Sequence, residues 1–341
     1  MTPPDALLVL SFGGPEGPDE VLPFLERVLH GRDVPRERML AVAEHYHHFG
    51  GVSPINAQNR ALVDALRTRL PASGIDLPVY WGNRNWHPLV ADTVAAMRDD
   101  GVERAAVFVT SAFGSYSGCR QYRDDLAGAT AAVPGAPVLD KLRLYFDHPG
   151  FVEAVADGLR ATLAGAGPSP RVWFSAHSIP VSMSSTAPYL HQLRIAASLV
   201  ANTCGVPSWE LVFQSRSGAA GQAWLGPDVS ERIRDLPAGE TVVICPIGFV
   251  SDHMEVVYDL DTEAAAAAAA AGVSLRRAPT AGTHPAFVSM IAELVSERLD
   301  PATPRRSLGP DGPWPDDCPA GCCVSAGRPP AGVGQARPTH A

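Results

Sequence analysis

The 341-residue sequence predicts an α/β protein built as two similar lobes, each a parallel sheet flanked by helices, with a cleft between them. Three observations carry that prediction. Short apolar or β-branched runs each stop at a polar, glycine-bearing turn, and an amphipathic segment at helical spacing follows. The strand, turn and helix unit recurs, as a parallel sheet requires, and it starts again from about residue 140. The length also suffices for two substantial cores, with 46% hydrophobic and 18% charged residues.

The elements follow in order. Ala6 to Leu10 reads as the first strand, ending in the turn Ser11 to Pro15, and Glu20 to Leu29 as a helix with Pro23 in its first turn. The Gly-Gly-Pro turn lacks the G-x-G-x-x-G spacing of a dinucleotide site. A helical stretch from Pro35 to Tyr46 precedes His47 and His48, which read as a partly exposed helix end, and the turn Gly50 to Pro54. Gln58 to Leu70 is amphipathic, Val79 to Trp81 a strand, Leu89 to Arg98 a helix, and Ala105 to Thr110 a strand. A hydroxyl-rich loop from Ser111 to Cys119 then leads to a helix carrying Tyr122.

The second half repeats the pattern. Phe151 to Leu163 is a helix, and Arg171 to Phe174 a strand running into Ser175-Ala176-His177-Ser178. Pro188 to Asn202 is a helix, Leu211 to Phe213 a strand, and Trp224 to Asp228 opens another helix. Pro285 to Leu299 closes the fold. The expected units are 1–145, 146–300, a cysteine-bearing tail at 301–323, and a disordered end at 324–341, where apolar content is too low to anchor the chain.

The most informative stretch runs from Thr241 to Gly272. Val242 to Cys245 reads as a buried strand broken by Pro246 and Gly248, and Ser251 or Asp252 can cap the next helix. On that helix Glu255, Asp259 and Glu263 recur at i, i+4 and i+8, so one face carries three carboxylates. Eight alanines from Ala264 extend it, and Gly272 suits the left-handed position past its end. Like charges four apart repel by roughly 0.2–0.5 kcal/mol per pair, so the stripe needs a cation, a proton or plain solvent. A solvated acidic face and a ligand site both fit the spacing. Position favours a site, because open α/β sheets bind ligands beyond their strand C-termini. His177 follows another strand of the same lobe, flanked by two serines able to hold its ring. A His and a Glu across one crevice suit proton transfer or divalent-metal binding.

A net charge of −9 and the lack of a basic stripe exclude a nucleic-acid surface. No run approaches 18 apolar residues and no signal pattern opens the chain, which predicts a cytoplasmic protein without an integral membrane segment. Of six cysteines, Cys245 reads as core and Cys204 as a helix end. Cys318, Cys322 and Cys323 lie in a Pro/Gly-rich tail with no core to bury thiols, so metal ligation and a redox-sensitive free-thiol tail are both open.

SFGGP, GGVSP, SAHS, WLGPD and PIGFVSDHMEVVYDLD, in this order and spacing across residues 6–300, resemble the ferrochelatase family. The resemblance implies two Rossmann-like, chelatase-type lobes and a lyase that inserts Fe²⁺ into a porphyrin for haem biosynthesis. It implies His177 and Glu255 as the catalytic, metal-binding and proton-handling pair, with Asp259 and Glu263 continuing the metal-side acidic row of a segment that contains a π-helix. Tyr46, Ser53 and Tyr122 fall where the family contacts substrate, Arg32 is a further candidate partner of the porphyrin carboxylates, and Phe12 is counted with the substrate-binding residues. Phe12 stands where several relatives have an iron-ligating Tyr, and His45 where bacterial relatives have a basic residue. Cys119, Cys318, Cys322 and Cys323 are implied as ligands of a [2Fe–2S] cluster. The polar, non-lipophilic segment from Val21 to Met39 and the actinobacterial look of the composition point to coproporphyrin III, giving Fe-coproporphyrin III (coproheme). Protoporphyrin IX is the alternative substrate, with a tetrapyrrole or metal carrier and a cobalt chelatase as further readings. A monomer that meets haem-pathway enzymes upstream and downstream is expected.

Overall fold

The structure is a computed structural model that describes residues 2–31, 34–217, 221–319 and 321–324. Arg32 and the expected disorder beyond Val324 lie outside the described residues.

The first lobe runs β1 (Ala6–Ser11), α1 (Val21–Val28), α2 (Arg36–His48), α3 (Ile55–Ala72), β2 (Val79–Asn83), α4 (Val90–Asp99), β3 (Arg104–Val109), α5 (Gln121–Ala132) and β4 (Val138–Lys141). The second runs α6 (Pro149–Leu163), β5 (Arg171–His177), α7 (Val181–Ser184), α8 (Tyr189–Thr203), β6 (Trp209–Gln214), α9 (Val229–Arg234), β7 (Thr241–Cys245), α10 (Met254–Tyr258), α11 (Ala265–Ala271), β8 (Ser274–Arg277) and α12 (Pro285–Leu299). Both sheets are parallel and four-stranded, in the equivalent orders β2-β1-β3-β4 and β6-β5-β7-β8. The strand order therefore reverses between β1 and β3 and again between β5 and β7. A crevice forms beyond the strand C-termini at each reversal, because the connections leave in opposite directions.

The central strands read clearly from sequence because both their faces are covered: β1 is buried throughout, and β7 from its second residue. Three short elements escape that reading. β4 and β8 are edge strands with exposed, polar residues, and α7 is a single turn. The π-helical turn Asp259–Ala264 between α10 and α11 stands where the family resemblance implies one, whereas a second, Tyr116–Arg120 ahead of α5 and capped by the Ser115 side chain, had no signal. Gly272 takes φ +68° after α11, as its position requires.

Each lobe keeps an apolar cluster of its own, and a further core runs across both lobes. Phe108 of β3 stacks on Tyr145, and both meet Phe287 of α12 at about 6.0 Å between ring centroids. Phe151 of α6 packs on Tyr145 and Phe287 as well. α12 thus lies against α6 and against α3 of the other lobe.

The tail is better anchored than its composition implies. Arg143, in the segment joining the lobes, is 1% exposed and makes a two-pronged contact with Glu297 of α12 at 2.8 and 2.9 Å. Its guanidinium also donates to the Arg306 carbonyl at 2.8 Å. Ser307 donates to the Asp147 carboxylate at 2.6 Å, and Trp314 packs edge-on against Phe146. Among the described residues no helix is long and apolar enough to cross a membrane.

Removing one partner of a buried charge pair leaves the other uncompensated and costs about 3–5 kcal/mol. Arg305, 3.5 Å from Glu297, softens that loss here. Arg143→Ala is expected to lower unfolding stability by about 3 kcal/mol, read as a reduced urea midpoint with an unchanged slope.

Candidate active site

The site forms at the reversal point of the second sheet. β5 extends three residues further than its apolar run indicates, so His177 is the strand's last residue rather than the first of a loop. Nδ1 of His177 lies 2.5 Å from the Ser178 carbonyl and donates to it. Nε2 then points to Glu255, 3.4 Å from Oε1. Only one of the two flanking serines holds the ring, through its backbone. The Ser175 hydroxyl is buried without a partner among the described residues, and the Ser178 hydroxyl donates to the Leu225 carbonyl at 2.8 Å. The Tyr189 hydroxyl donates to the His177 carbonyl at 2.9 Å, which fixes the end of the strand.

Glu255 arrives from the neighbouring strand. After β7 the chain turns back over β5, and the Gly248 amide donates to the Ser175 carbonyl at 3.1 Å. A Cβ on Gly248 would stand 2.7 Å from the Ala176 backbone, so only glycine permits this approach. The cap of α10 is His253, not Ser251 or Asp252: its Nδ1 accepts from the Glu255 amide at 3.2 Å. Asp252 is taken instead by Arg277 at 3.2 Å and Thr280 at 3.1 Å, while its amide donates to Gln58 of the first lobe at 2.8 Å.

The three carboxylates of the stripe are relieved in three ways. Burial disfavours charge on Glu255, but the His177 imidazolium outweighs it and brings the carboxyl down to about 2. The same exchange acts on His177, where burial is opposed by the Glu255 charge and hydrogen bond, and its pKa rises to about 9. With both ring nitrogens donating, the imidazolium is the form this geometry selects. Burial and the neighbouring carboxylates push Asp259 up to about 7, although the Ser215 hydroxyl opposes them by donating to it. Glu263 is exposed, raised by partial burial and Asp228 and eased by Arg234. A cavity of about 520 Å³ opens beside this outer end, lined by Ser215, Asp228, Asp259 and Glu263 among others. His253 is held below its ordinary value by burial and by the His177 charge, which suits a neutral ring whose Nδ1 accepts.

Across the cleft the first lobe contributes aromatic walls. Tyr46 lies close enough to Glu255 and Asp259 that their charges, added to burial, push its phenol well up. Its neighbour His45 stacks on Tyr258 at 3.7 Å between ring centroids, which ties α2 to α10. His47 and His48 are exposed, as expected for a helix end. Phe12 is 37% exposed and packs edge-on against Phe24. Tyr122 and Ser53 are buried at 4% and 2%, and the Ser53 amide donates to the Pro15 carbonyl at 2.9 Å. Ser53 therefore supports the first turn directly.

Sequence reasoning missed three side chains at the site. Arg84 lies 4.8 Å over the Tyr122 ring and 5.9 Å over Phe12, paired with Asp125. Gln214 and Ser215 bond Glu255 and Asp259. Arg84 and Ser215 follow a strand and Gln214 ends one, and only that position was available as a signal.

The tail cysteines come to the first lobe. Cys119 sits in the π-turn before α5, 3% exposed and near enough to Cys322 and Cys323 to act on both electrostatically. Cys322 and Cys323 have their sulfurs 3.4 Å apart. The tail does bury a thiol, contrary to expectation: Cys323 is 2% exposed and takes φ +55°. Burial raises both thiols, and Cys318 and Cys119 raise them further. Among the described residues, no three such side chains close into a metal-holding group.

A family model described as Ferrochelatase matches residues 4–299, which include every element from β1 to α12. The chain belongs to the ferrochelatase family. It is 53% identical over 349 residues to a ferrochelatase of Rhodopirellula baltica, covering 100% of this chain and 99% of that protein. It is 54% identical over 339 residues to the coproporphyrin III ferrochelatase of Frankia alni, covering 94% and 86%. The corresponding enzyme of Nocardia farcinica is 51% identical over 347 residues, covering 96% and 98%. Among solved structures, the sirohydrochlorin chelatase SirB of Bacillus subtilis subspecies spizizenii, in complex with cobalt, aligns with a TM-score of 0.52 at 12% identity, over 86% of this chain and 94% of that one. CbiX, the terminal enzyme of sirohaem synthesis in denitrifying bacteria, gives 0.52 at 17% identity, over 86% and 100%. These two likenesses establish the chelatase-type fold.

The His177–Glu255 pair has a defined pH window. His177 contributes stability that is full below its ordinary value of 6.5 and lost as pH rises through about 9. Glu255 contributes stability that is full above 4.5 and lost as pH falls through about 2. With side chains 31% and 49% exposed, solvent screens the pair. In an NMR titration the His177 ring should titrate well above 6.5, and Glu255→Gln should bring it down toward that value. An unshifted ring in both proteins would remove the ion pair from the site.

Proposed function

We propose that this chain inserts ferrous iron into coproporphyrin III, releasing two protons and Fe-coproporphyrin III in haem synthesis. The observation that carries the proposal is the His177–Glu255 pair at the sheet reversal of a chain in the ferrochelatase family. The substrate assignment draws on relatives 51–54% identical that are named for coproporphyrin III. The Rhodopirellula relative, equally similar at 53%, is named only as a ferrochelatase, which keeps protoporphyrin IX as the second reading. The protein acts in the cytoplasm as a monomer, between the enzymes that supply porphyrin and consume the metallated ring.

The chemistry runs as an exchange of one cation for others. In the resting pair His177 holds a proton, a departure from the neutral imidazole that its type alone implies near pH 7. Fe²⁺ arriving at Glu255 takes over the charge that retains that proton, which passes to Asp259 and along the row to solvent. The imidazole is then released as an acceptor for a pyrrole proton, and iron enters the ring as two N–H bonds break. Asp259, poised near neutrality, accepts protons in turn, and Glu263 carries the row outward to solvent. Phe12, Tyr46 and the Arg84–Tyr122 stack wall the macrocycle from the first lobe, with Ser53 behind the first turn and Arg32 as a further carboxylate partner. Binding energy from the macrocycle's periphery pays for bending its ring toward the transition state.

The four thiols match an iron–sulfur group in kind and number, Cys119 from the π-turn and Cys318, Cys322 and Cys323 from the tail, while their spacing among the described residues does not close into a metal-holding set. A [2Fe–2S] cluster held there would supply a cross-link between tail and first lobe and a one-electron centre. Cys322 and Cys323, raised by burial, would have to release their protons on binding it.

Two measurements test these assignments. Mixed anaerobically with Fe²⁺, the protein should metallate coproporphyrin III faster than protoporphyrin IX, and His177→Ala should lower the rate about 10²–10⁴-fold while porphyrin still quenches on binding. The reverse substrate order would install protoporphyrin, and tight binding without insertion by the unaltered protein would indicate a carrier. Separately, Cys119→Ser should abolish the visible absorption and sulfide content of the purified protein. A chain lacking both before substitution holds no cluster.

A further inference from the structure

We infer that Gln214 and Ser215, at the end of β6, are positioning residues that set the acidic row against His177. The inference rests on the proposed iron insertion and extends it to two side chains that touch neither iron nor macrocycle in that scheme. β5 and β6 run parallel with His177 and Gln214 as register partners, so the two residues end their strands at one level. The Ser178 amide donates to the Gln214 carbonyl at 2.8 Å, carrying the ladder one step past His177. From this point the two side chains reach the helix that carries the acids. Gln214 Nε2 donates to the Glu255 carbonyl, and the Ser215 hydroxyl donates to the Asp259 carboxylate.

These bonds straddle the place where the helix changes its winding. Glu255 belongs to α10, Asp259 opens the π-turn, and the Asp259 amide donates to the Val256 carbonyl. A change of winding rotates every later side chain, so the direction of Asp259 relative to Glu255 depends on what holds the junction. Gln214 grips one side of it and Ser215 the other.

Both residues carry signs of a role other than stability. Gln214 is 1% exposed, yet its Oε1 accepts no bond from the described residues, a state that burial penalises. Ser215 holds φ +63°, a backbone region that favours glycine and that a serine occupies only when its surroundings impose it. Such outliers gather where geometry serves function.

The test is anaerobic insertion kinetics on the full chain and four variants, Ser215→Ala, Ser215→Gly, Ser215→Asn and Gln214→Met, with coproporphyrin III and Fe²⁺. Loss of either bond is expected to lower kcat tenfold or more in the Ala, Gly and Met variants. KM for porphyrin and binding measured by fluorescence quenching should stay within twofold. Ser215→Asn, which tolerates the left-handed backbone and keeps a donor, should recover several-fold over Ser215→Ala. Wild-type kcat in Ser215→Gly would overturn the inference, because it would assign the residue to backbone shape alone. Equal losses of kcat and porphyrin affinity, with a lowered melting temperature, would overturn it in favour of a structural role. Should Gln214→Met fail to fold, the three Ser215 variants decide. An unaltered protein that inserts no iron would sink the functional reading and this inference together, whereas active variants beside an active wild type would sink the inference alone.

Discussion

A charge pair made between the end of one strand and the helix that follows its neighbour organises this molecule. His177 closes β5 and Glu255 follows β7, and they meet at 3.4 Å only because the sheet reverses its winding between those strands. Everything nearby serves that meeting. Gly248 lets the β7 loop lie on Ala176, Tyr189 holds the last carbonyl of β5, and His253 caps the helix that presents the carboxylate. The ion pair in turn explains why an acidic stripe is tolerated in a helix flanked by alanines. Its first member has an imidazolium, its second is pushed to hold a proton, and its third meets solvent.

The two lobes have equivalent sheets, yet they are used differently. The second supplies titratable groups from its reversal point, and the first supplies aromatic surfaces and a buried guanidinium. The α2 helix links the two uses. His45 stacks on Tyr258, one residue before the π-turn, and Tyr46 feels the charges of Glu255 and Asp259. Among the described residues each lobe also contains one π-helical turn, the first carrying Cys119 and the second opening with Asp259. Such turns re-aim side chains within a helix, which suits places where direction matters more than stability.

The shared core and the tail make the lobes one body. Aromatic rings from β3, the linker, α6 and α12 interlock, and Arg143 joins the linker to α12 and the tail at once. Composition alone gave no hint of these contacts. Its hold comes from ion pairs and single aromatic insertions, and pairings between distant residues leave no local pattern.

The sequence by itself determined the repeated parallel lobes, because strands covered on both faces must be continuous apolar runs bounded by turns. It also determined the acidic stripe by its four-residue period, and it placed His177 and Glu255 beyond strand ends. Tertiary structure alone decided what those residues are. Whether Glu255 faces solvent or His177 depends on the strand order, which no local period records. The charge of His177 depends on that partner, and the cap of α10 went to His253 because Arg277 and Thr280 claim Asp252. Gln214, Ser215 and Arg84 were unreadable for the same reason. A polar residue after a strand is ordinary in sequence, and it acquires a role only from what the fold brings within reach of its hydrogen bonds.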